Sequence, residues 1–418
     1  MEWKDRLIET VKSTKEASFE IAKITEKEKN IFLEILSEKI LQKKDEIIKE
    51  NEKDVRNCIR RNYSNAFIDR LKIDEKRINK MVKSVKDVIS LPDPVGQKIW
   101  ETIRPNGLKI EKIRVPIGVI GIIYESRPDV TVEASILCIK SGNSVILRGG
   151  KEAKNTNLKL VEIIKESLRE SEMSENIVNL ITTGGRKSVK YLLKLYQYID
   201  LIIPRGGESL IKTVVENSYI PVIKHYAGVC HTYVDKDADL EMAWKVVLNA
   251  KVQRPATCNA TETLLVHKDI AKKFLPKMAE IFKEYKVEMR GCEKTLEILP
   301  DIKRATEIDW YTEYLDLIIS IKIVKNLEEA IEHINKYGTH HSDSIITENE
   351  KAAEKFLKEV DSAAVYHNAS TRFTDGGEFG LGAEIGISTD KIHARGPMGL
   401  EELTTYKYII YGNGQIRE

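Results

Sequence analysis

The first 90 residues show the spacing of amphipathic helices. Between residues 27 and 51, apolar side chains recur every three or four positions and form one broad stripe. The stripe consists of Ile31, Leu33, Ile35, Leu36, Ile40 and Leu41. The Lys and Glu residues between them are typical of a solvated face, so we expect helices packed on a domain rather than a charged tail. Segment 91–97, which contains Pro and Gly, ends this pattern and is a candidate boundary.

Beyond residue 97, short apolar runs alternate with helical segments. Strand-like runs occupy 119–123, 144–147, 178–181, 201–203 and 222–223. After His231 the alternation restarts, with strand-like runs at 232–234, 263–266, 317–323, 344–346 and 363–366. Buried strands that alternate with helices are typical of parallel sheets, so the chain is predicted to be an α/β protein with two sheet units. A Gly-rich stretch at 372–399 precedes a last strand at 406–411.

Composition and charge are typical of a globular protein without a large excess of positive or negative charge. The 418 residues suggest two or three domains, and 42% of them are hydrophobic. Lysine plus arginine (67) nearly balances aspartate plus glutamate (65), which argues against nucleic acid or a membrane as partner. The charged segment 1–17 lacks the apolar region of a signal peptide, and the run 115–123 is too short to span a bilayer. We therefore expect a cytoplasmic, unanchored protein.

The cysteines do not have the spacing of a metal site or a disulfide scaffold. Cysteines stand at positions 58, 138, 230, 258 and 292, an odd number with wide gaps and no CxxC pair. A reduced intracellular protein is therefore favoured, and no bound metal is expected.

Glycine turns follow three of the predicted strands, and each carries a cation. They are Arg148-Gly149-Gly150-Lys151, Thr183-Gly184-Gly185-Arg186 and Pro204-Arg205-Gly206-Gly207. Glycine lets backbone N–H groups approach a phosphate, and the carboxyl ends of parallel strands are where open α/β sheets bind ligands. A single Gly-Gly pair is usually only a tight turn, but three at equivalent places favour a phosphate-bearing cofactor. Neither the GxGxxG fingerprint nor a P-loop is present.

Cys258 is the candidate nucleophile. It lies in the polar segment 251–260, after Pro255 and before a predicted strand. A thiolate there is suited to forming a thioester, although a cysteine taken alone is more often an inert small hydrophobe. Cys138, inside an apolar helical pattern, fits the inert interpretation. The run 340–343, His-His-Ser-Asp, looks like a triad or metal fragment, but adjacent residues do not easily converge on one site, and no GxSxG elbow accompanies it.

Long motifs at 115–134, 141–153, 200–207, 253–260 and 375–408 carry a family resemblance. Together they resemble the gamma-glutamyl phosphate reductases, a branch of the aldehyde dehydrogenase superfamily. The resemblance implies an oxidoreductase of proline biosynthesis that reduces gamma-glutamyl phosphate with NADPH to glutamate 5-semialdehyde and releases phosphate. Its small-molecule substrate would form a thioester with Cys258.

The same resemblance implies how the reaction is controlled. Hydrolytic members of the superfamily have an Asn as oxyanion donor where this chain has Ser126, so either Ser126 or backbone amides near Cys258 would serve. Those members also carry a Glu that activates water, and the matching stretch, 225–229, reads His-Tyr-Ala-Gly-Val. The missing carboxylate favours acyl-phosphate chemistry over aldehyde hydrolysis.

Cofactor and substrate residues are carried over by the resemblance. The adenosine-ribose turn would contain Arg148, Gly149, Gly150 and Lys151, and the pyrophosphate turn would contain Pro204, Gly206 and Gly207. Lys151 would meet the 2′-phosphate of NADPH, and Glu313 would hold the nicotinamide ribose; the plain alternatives are a surface cation and a solvated carboxylate. Arg127, Arg254, Arg372 and Arg395 are unranked candidates for binding the substrate carboxylate and phosphoryl group.

The family fold implies two doubly wound α/β domains and an oligomerisation flap. The cofactor domain would span 1–230 with a return segment at about 365–395, and the catalytic domain 231–364. The flap would comprise about 98–115 and 396–418, with strands 109–114 and 406–411 paired. Because a two-stranded ribbon is marginal in water, a homodimer or homotetramer is expected. The alternatives are another thioester-forming reductase of the superfamily and a non-catalytic relative that kept the fold.

Overall fold

A computed structural model of the protein describes residues 3–224 and 227–417. The chain divides into two compact units. The first comprises the residues up to 224, a short segment at 380–386 and the residues from 398 onward, and the second comprises the residues between 225 and 379 together with 387–397.

The helices and strands alternate as the α/β interpretation requires. The helices are α1 Trp3–Ile21, α2 Glu26–Gln42, α3 Lys44–Arg60, α4 Asn65–Leu71, α5 Glu75–Ser90, α6 Asp129–Lys140, α7 Lys154–Glu170, α8 Gly185–Leu192, α9 Glu208–Asn217, α10 Leu240–Val252, α11 Lys268–Glu284, α12 Glu293–Leu296, α13 Leu327–Tyr337 and α14 Glu350–Glu359. The strands are β1 Lys98–Ile103, β2 Lys109–Pro116, β3 Val119–Tyr124, β4 Ser144–Arg148, β5 Val178–Leu180, β6 Leu201–Arg205, β7 Cys230–Val234, β8 Thr261–His267, β9 Glu288–Gly291, β10 Lys303–Arg304, β11 Ile318–Val324, β12 Ser342–Ile346, β13 Ala364–His367, β14 Gly386–Ser388, β15 Gly396–Met398 and β16 Thr404–Tyr411.

The N-terminal helices begin and end at residues that the hydrophobic pattern did not indicate. The predicted stripe at 27–51 is divided between α2 and α3, which meet at Lys43. Thr25 caps α2 through a reciprocal pair of bonds with Glu28. The stripe is narrower than predicted: Leu33, Leu36 and Ile40 are buried, whereas Ile31 and Leu41 are both exposed.

The first unit is built on a four-stranded parallel sheet with the order β5-β4-β3-β6. Because the chain runs from β3 outward to β5 and then crosses to β6, the strand order reverses between β3 and β6. Ligands of doubly wound sheets bind outside the carboxyl ends of the strands at such a switch point. The predicted strand at 222–223 contributes only one isolated bridge, between Ile202 and Val222.

The second unit is built on a seven-stranded parallel sheet with the order β10-β9-β11-β8-β7-β12-β13. Helices α10 and α11 cover it with an apolar core that includes Phe274, Met278 and Phe282. Strands β9 and β10 were missed because the runs are short and polar. The predicted return segment differs as well: β13 pairs with β12, which keeps 365–379 in the second unit, and only 380–386 of that segment falls in the first.

The remaining strands form two small sheets. Strand β16 pairs with β2 as expected, and the pairing is antiparallel, with Tyr406 opposite Arg114 and Tyr411 opposite Lys109. Strand β1 adds a third strand on the other side of β2, so this flap is not a two-stranded ribbon. Strands β14 and β15 form a separate pair. Among the described residues, no helix combines the length and the apolar character needed to cross a membrane.

Candidate active site

The Cys258 loop joins α10 to β8 and is fixed by its own side chains. The Thr257 hydroxyl donates to the Arg254 carbonyl at 2.8 Å and to Asn259 Oδ1 at 2.9 Å. Asn259 Nδ2 in turn donates to the Thr374 carbonyl at 2.8 Å. Cys258 is half-buried, whereas Asn259 is buried. The loop is therefore held rigidly while its thiol stays open to a substrate.

Gly228 lies directly against the backbone of Cys258. A Cβ atom at Gly228 would stand 1.8 Å from the Cys258 carbonyl oxygen and 2.6 Å from its Cα. The two residues meet because each precedes a strand, β7 or β8, and these strands are parallel neighbours. Only glycine fits this approach. Of the stretch 225–229 compared with hydrolytic enzymes, His225 and Tyr226 lie outside the described residues.

Cys230 supports the same loop and was not a candidate from the sequence. Its thiol donates to the Cys258 carbonyl at 3.1 Å, and the residue is completely buried. Burial, with Asp343 adding to it, raises the pKa of the Cys230 thiol. Cys138 is buried too, and burial raises its pKa. Cys230 and Cys138 therefore stay protonated, so both are poor nucleophiles beside the accessible Cys258.

Two of the four candidate arginines belong to the Cys258 loop or face it. Arg372 donates through Nε to Gln253 Oε1 at 2.9 Å and through Nη1 to Asn259. Burial, followed by the neighbouring Arg254 charge, lowers the pKa of Arg372, and the Asp375 and Cys258 groups oppose that shift. Arg254 is exposed. Cations in this position can receive an anionic substrate.

Arg395 is engaged elsewhere in the second unit. Its Nη2 pairs with Asp361 Oδ1 at 2.9 Å and donates to the Asp361 carbonyl at 3.0 Å. Lys391 shares the same carboxylate at 2.5 Å. The charge of Arg395 is therefore matched by Asp361, and these contacts fix the 391–395 segment rather than the Cys258 loop.

The His-His-Ser-Asp run does not assemble into a triad. Asp343 Oδ1 lies 2.8 Å from His231 Nδ1 and accepts the His231 backbone N–H at 2.8 Å. His341 Nδ1 instead lies 2.8 Å from Ser342 Oγ. Ser342 and Asp343 have different partners because neighbouring side chains alternate along β12, whereas His341 lies just before this strand. No group of three potential metal ligands occurs among the described residues.

Glu313 contacts the segment beside the Cys258 loop through Gly228. Its Oε1 accepts the Gly228 N–H at 2.8 Å. The next residues are anchored as well: the Tyr314 hydroxyl donates to Asp309 Oδ1 at 2.7 Å, and Leu315, with φ of 53°, donates its N–H to Glu262 Oε1 at 3.2 Å. A left-handed leucine is uncommon and persists only where surrounding contacts hold it.

A buried ion pair lies under this segment. Lys251 Nζ and Glu262 Oε2 are 2.6 Å apart, and both side chains are completely buried. Burial raises the pKa of Glu262 and lowers that of Lys251, while the attraction between them opposes both shifts. The pair was invisible in the sequence, although its members flank Cys258.

The three glycine turns follow strands of the same parallel sheet, as predicted. Arg148 links the turns after β4 and β5: its guanidinium donates to the Gly149 and Gly185 carbonyls, the latter at 3.0 Å. At Gly149 a Cβ would lie 2.2 Å from Asn157 Nδ2, so this position needs glycine. Lys151 is exposed at the start of the 3-10 helix Lys151–Ala153.

The turn after β6 already holds a carboxylate that the sequence did not indicate. Gly207 caps α9, and its N–H donates to Glu125 Oε2 at 2.9 Å. A Cβ at Gly206 would lie 2.8 Å from the same carboxylate. Glu125 follows β3, and Pro204 lies inside β6 beside it. An acidic side chain thus occupies the N-terminus of α9 at the switch point.

Ser126 and Arg127 follow Glu125 at this switch point. Ser126 is buried, and a Cβ built on Gly150 would lie 3.3 Å from its hydroxyl, so Ser126 faces the turn after β4. Arg127 is exposed, and its backbone N–H donates to the Glu125 carbonyl at 2.6 Å. Both residues belong to the first unit.

Known proteins resemble this chain along its whole length. The sequence profile of the aldehyde dehydrogenase family matches residues 7–317 and 298–409. Gamma-glutamyl phosphate reductase of Thermodesulfovibrio yellowstonii is 57% identical over 100% of both chains. The crystal structure of gamma-glutamyl phosphate reductase from Thermotoga maritima has a TM-score of 0.97 and 52% identity, covering 99% of this chain and 100% of the other. An acetylating aldehyde dehydrogenase from Geobacillus thermoglucosidasius shares the fold, with a TM-score of 0.71 at 16% identity and coverage of 99% and 98%. These similarities confirm the resemblance that the sequence motifs indicated.

Proposed function

The chain belongs to the aldehyde dehydrogenase family of oxidoreductases, and we propose that it reduces gamma-glutamyl phosphate with NADPH to glutamate 5-semialdehyde and inorganic phosphate in proline biosynthesis. The observation that carries the proposal is the 57% identity to a gamma-glutamyl phosphate reductase over both complete lengths. Oxidoreductases of this family act on small molecules, which agrees with a substrate of this size.

In the proposed mechanism, Cys258 acts as a covalent nucleophile. Its thiolate attacks the acyl carbon, the carbon–oxygen bond to phosphate breaks, and a thioester forms. NADPH, when bound, supplies the hydride that reduces this thioester. Hydride addition leaves a tetrahedral oxyanion; its carbonyl re-forms as the carbon–sulfur bond breaks, and Cys258 recovers its thiolate as the aldehyde leaves.

Side chains around Cys258 are suited to this reaction. Arg254 and Arg372 offer positive charge to the anionic substrate, and they rank above Arg127 and Arg395 because they flank the nucleophile. For the oxyanion we keep two proposals, the Ser126 hydroxyl and backbone amides near Cys258. Within 225–229 the chain has no carboxylate to activate water. Phosphate needs binding more than activation, since its dianion is already nucleophilic.

The glycine turns of the first unit fit a dinucleotide. There is no room for a Cβ at Gly149, so no side chain covers the backbone at this position. The exposed Lys151 cation lies in the same turn. We propose that Arg148, Gly149, Gly150 and Lys151 form the adenosine-ribose side of the site, that Pro204, Gly206 and Gly207 flank the pyrophosphate, and that Glu313 holds the nicotinamide ribose. Glu125 would have to yield the N-terminus of α9 to a phosphate group.

Phosphate dependence in the reverse direction tests the proposed function. Purified protein is given glutamate 5-semialdehyde and NADP⁺, with phosphate, with arsenate or with neither, and NADPH is followed by absorbance. We expect turnover only with phosphate or arsenate, because 225–229 carries no carboxylate to activate water, whereas the phosphate dianion is already nucleophilic. Full-rate turnover to glutamate in phosphate-free buffer would instead identify a hydrolytic aldehyde dehydrogenase.

Lys151 is expected to select NADPH over NADH. In Lys151→Ala the ratio of kcat/KM for NADPH to that for NADH should fall about tenfold, because one charge-assisted contact to the 2′-phosphate is lost. Lys154→Ala is the matched control, because Lys154 is a nearby lysine at the start of α7. An unchanged ratio in Lys151→Ala removes this residue from the role, and a wild-type preference for NADH overturns the cofactor assignment.

We also propose a cytoplasmic location and a homo-oligomer. All five cysteines are free thiols in the described chain, which supports a reducing compartment. The flap exposes Trp100, Tyr406, Tyr408 and Ile410, and such an apolar face supports self-association. A second candidate function, another thioester-forming acyl reductase, is separated by comparing gamma-glutamyl phosphate with other acyl donors.

A further inference from the structure

We propose that Glu313 is a positioning residue for the nucleophile, acting on Cys258 through the backbone of Gly228. The hydrogen bond from the Gly228 N–H to Glu313 Oε1, at 2.8 Å, is the contact that carries this role. The inference rests on the proposed function only in taking Cys258 as the nucleophile.

The first link is the contact between Gly228 and Cys258. Because the Cys258 carbonyl would stand 1.8 Å from a Gly228 Cβ, any movement of Gly228 toward the loop forces Cys258 to move. Movement away from the loop would also draw on Cys230, whose thiol donates to the same carbonyl at 3.1 Å. Val229, between them, is held by an N–H bond to Thr339 Oγ1 at 2.9 Å. Segment 228–230 thus forms one wall behind the nucleophile.

The second link is the rigidity of the Glu313 segment. Tyr314 is tied to Asp309 and Ser320, each at 2.7 Å, and Leu315 is tied to Glu262. Glu262 lies on β8, in the same strand that Cys258 precedes, and its charge is matched by Lys251. The carboxylate of Glu313 is therefore fixed relative to the strand that carries the nucleophile.

These two links make a closed path from β8 through Leu315, Glu313 and Gly228 back to Cys258. Because this path returns to the loop just before β8, the Glu313 hydrogen bond bears on the Cys258 backbone. Loss of the Gly228 hydrogen bond would free segment 228–230 to move, and the backbone of Cys258, which lies against Gly228, would move with it.

Two conservative variants separate the length of the Glu313 side chain from its charge. Glu313→Gln keeps an acceptor oxygen at the same distance but removes the charge, whereas Glu313→Asp keeps the charge but withdraws it by one methylene. Iodoacetamide alkylation of Cys258 is timed by mass spectrometry of its peptide, in the complete protein without cofactor or substrate. Glu307→Ala is the control, because Glu307 is exposed on the same segment and bonds only Tyr337 and Lys336 among the described contacts.

We expect alkylation in Glu313→Asp to slow about tenfold, with Glu313→Gln and Glu307→Ala within about twofold of the wild type. Rescue by the uncharged variant distinguishes positioning from an electrostatic effect, and thermal unfolding of each variant establishes that the fold is intact. An aspartate variant that reacts as fast as the wild type, or a glutamine variant as slow as the aspartate one, overturns the inference. The alkylation assay contains no cofactor or acyl phosphate. Its result therefore does not depend on whether gamma-glutamyl phosphate is the substrate.

Discussion

Replacing Cys258 with alanine is expected to abolish turnover while the fold and NADPH binding survive. Alanine cannot form the thioester, and removing a covalent nucleophile costs about 10⁴-fold or more in kcat. The half-buried Cys258 side chain fills little of the core, so thermal unfolding should shift only slightly. The measurements are steady-state turnover of gamma-glutamyl phosphate and fluorescence titration of NADPH.

Cys292→Ser serves as the control for this substitution, since Cys292 is also a half-buried free thiol but caps the short helix α12. It should retain essentially full activity. If Cys258→Ala keeps activity within about tenfold of the wild type, covalent catalysis by this residue is excluded.

Gly228→Ala should cost about 100-fold in kcat, because displacing a nucleophile by about 1 Å is enough to lose that much rate. The added methyl group meets the Cys258 backbone, which cannot rotate away as a flexible side chain would. The KM for NADPH should change little, since the displaced group is the nucleophile. Separate determination of kcat and KM, with single-turnover thioester formation, checks this expectation.

Gly377→Ala is a suitable companion variant. There the new Cβ would approach only the Asp375 carboxylate, at 3.1 Å, and that side chain can move. Activity in Gly228→Ala equal to that of Gly377→Ala would show that the loop adapts to the methyl group without losing its geometry.

The elements that the sequence predicted best are those with strong periodicity. Strands β3, β4 and β6 formed within a few residues of the expected bounds, because continuous apolar runs are buried in any context. The short polar strands β9 and β10 carry no such signal, so they are decided by tertiary pairing, of β9 with β11 and of β10 with β9.

The sequence singled out Cys258 as the candidate nucleophile but did not indicate the residues that surround it. Cys258 stood out by its polar, proline-containing segment, whereas Gly228 and Glu313 come near it only because β7 and β11 flank β8. Strand order is a property of the whole sheet and cannot be predicted from any one segment. Cys258 also lies at the amino ends of these strands, whereas the glycine turns of the first unit lie at the carboxyl ends of theirs.

The pairing of β16 with β2 bears on the order in which the molecule can be made. Strand β2 ends at Pro116 and its partner begins at Thr404, with the entire second unit encoded between them. The residues of the second unit before 380 form a nearly continuous stretch, so its sheet can assemble while synthesis continues. The three-stranded flap must wait for residue 404 and close a very long loop, which adds entropy cost and time. Until then one edge of β2 has no partner strand, and its free backbone N–H and C=O groups are open to pairing with another chain.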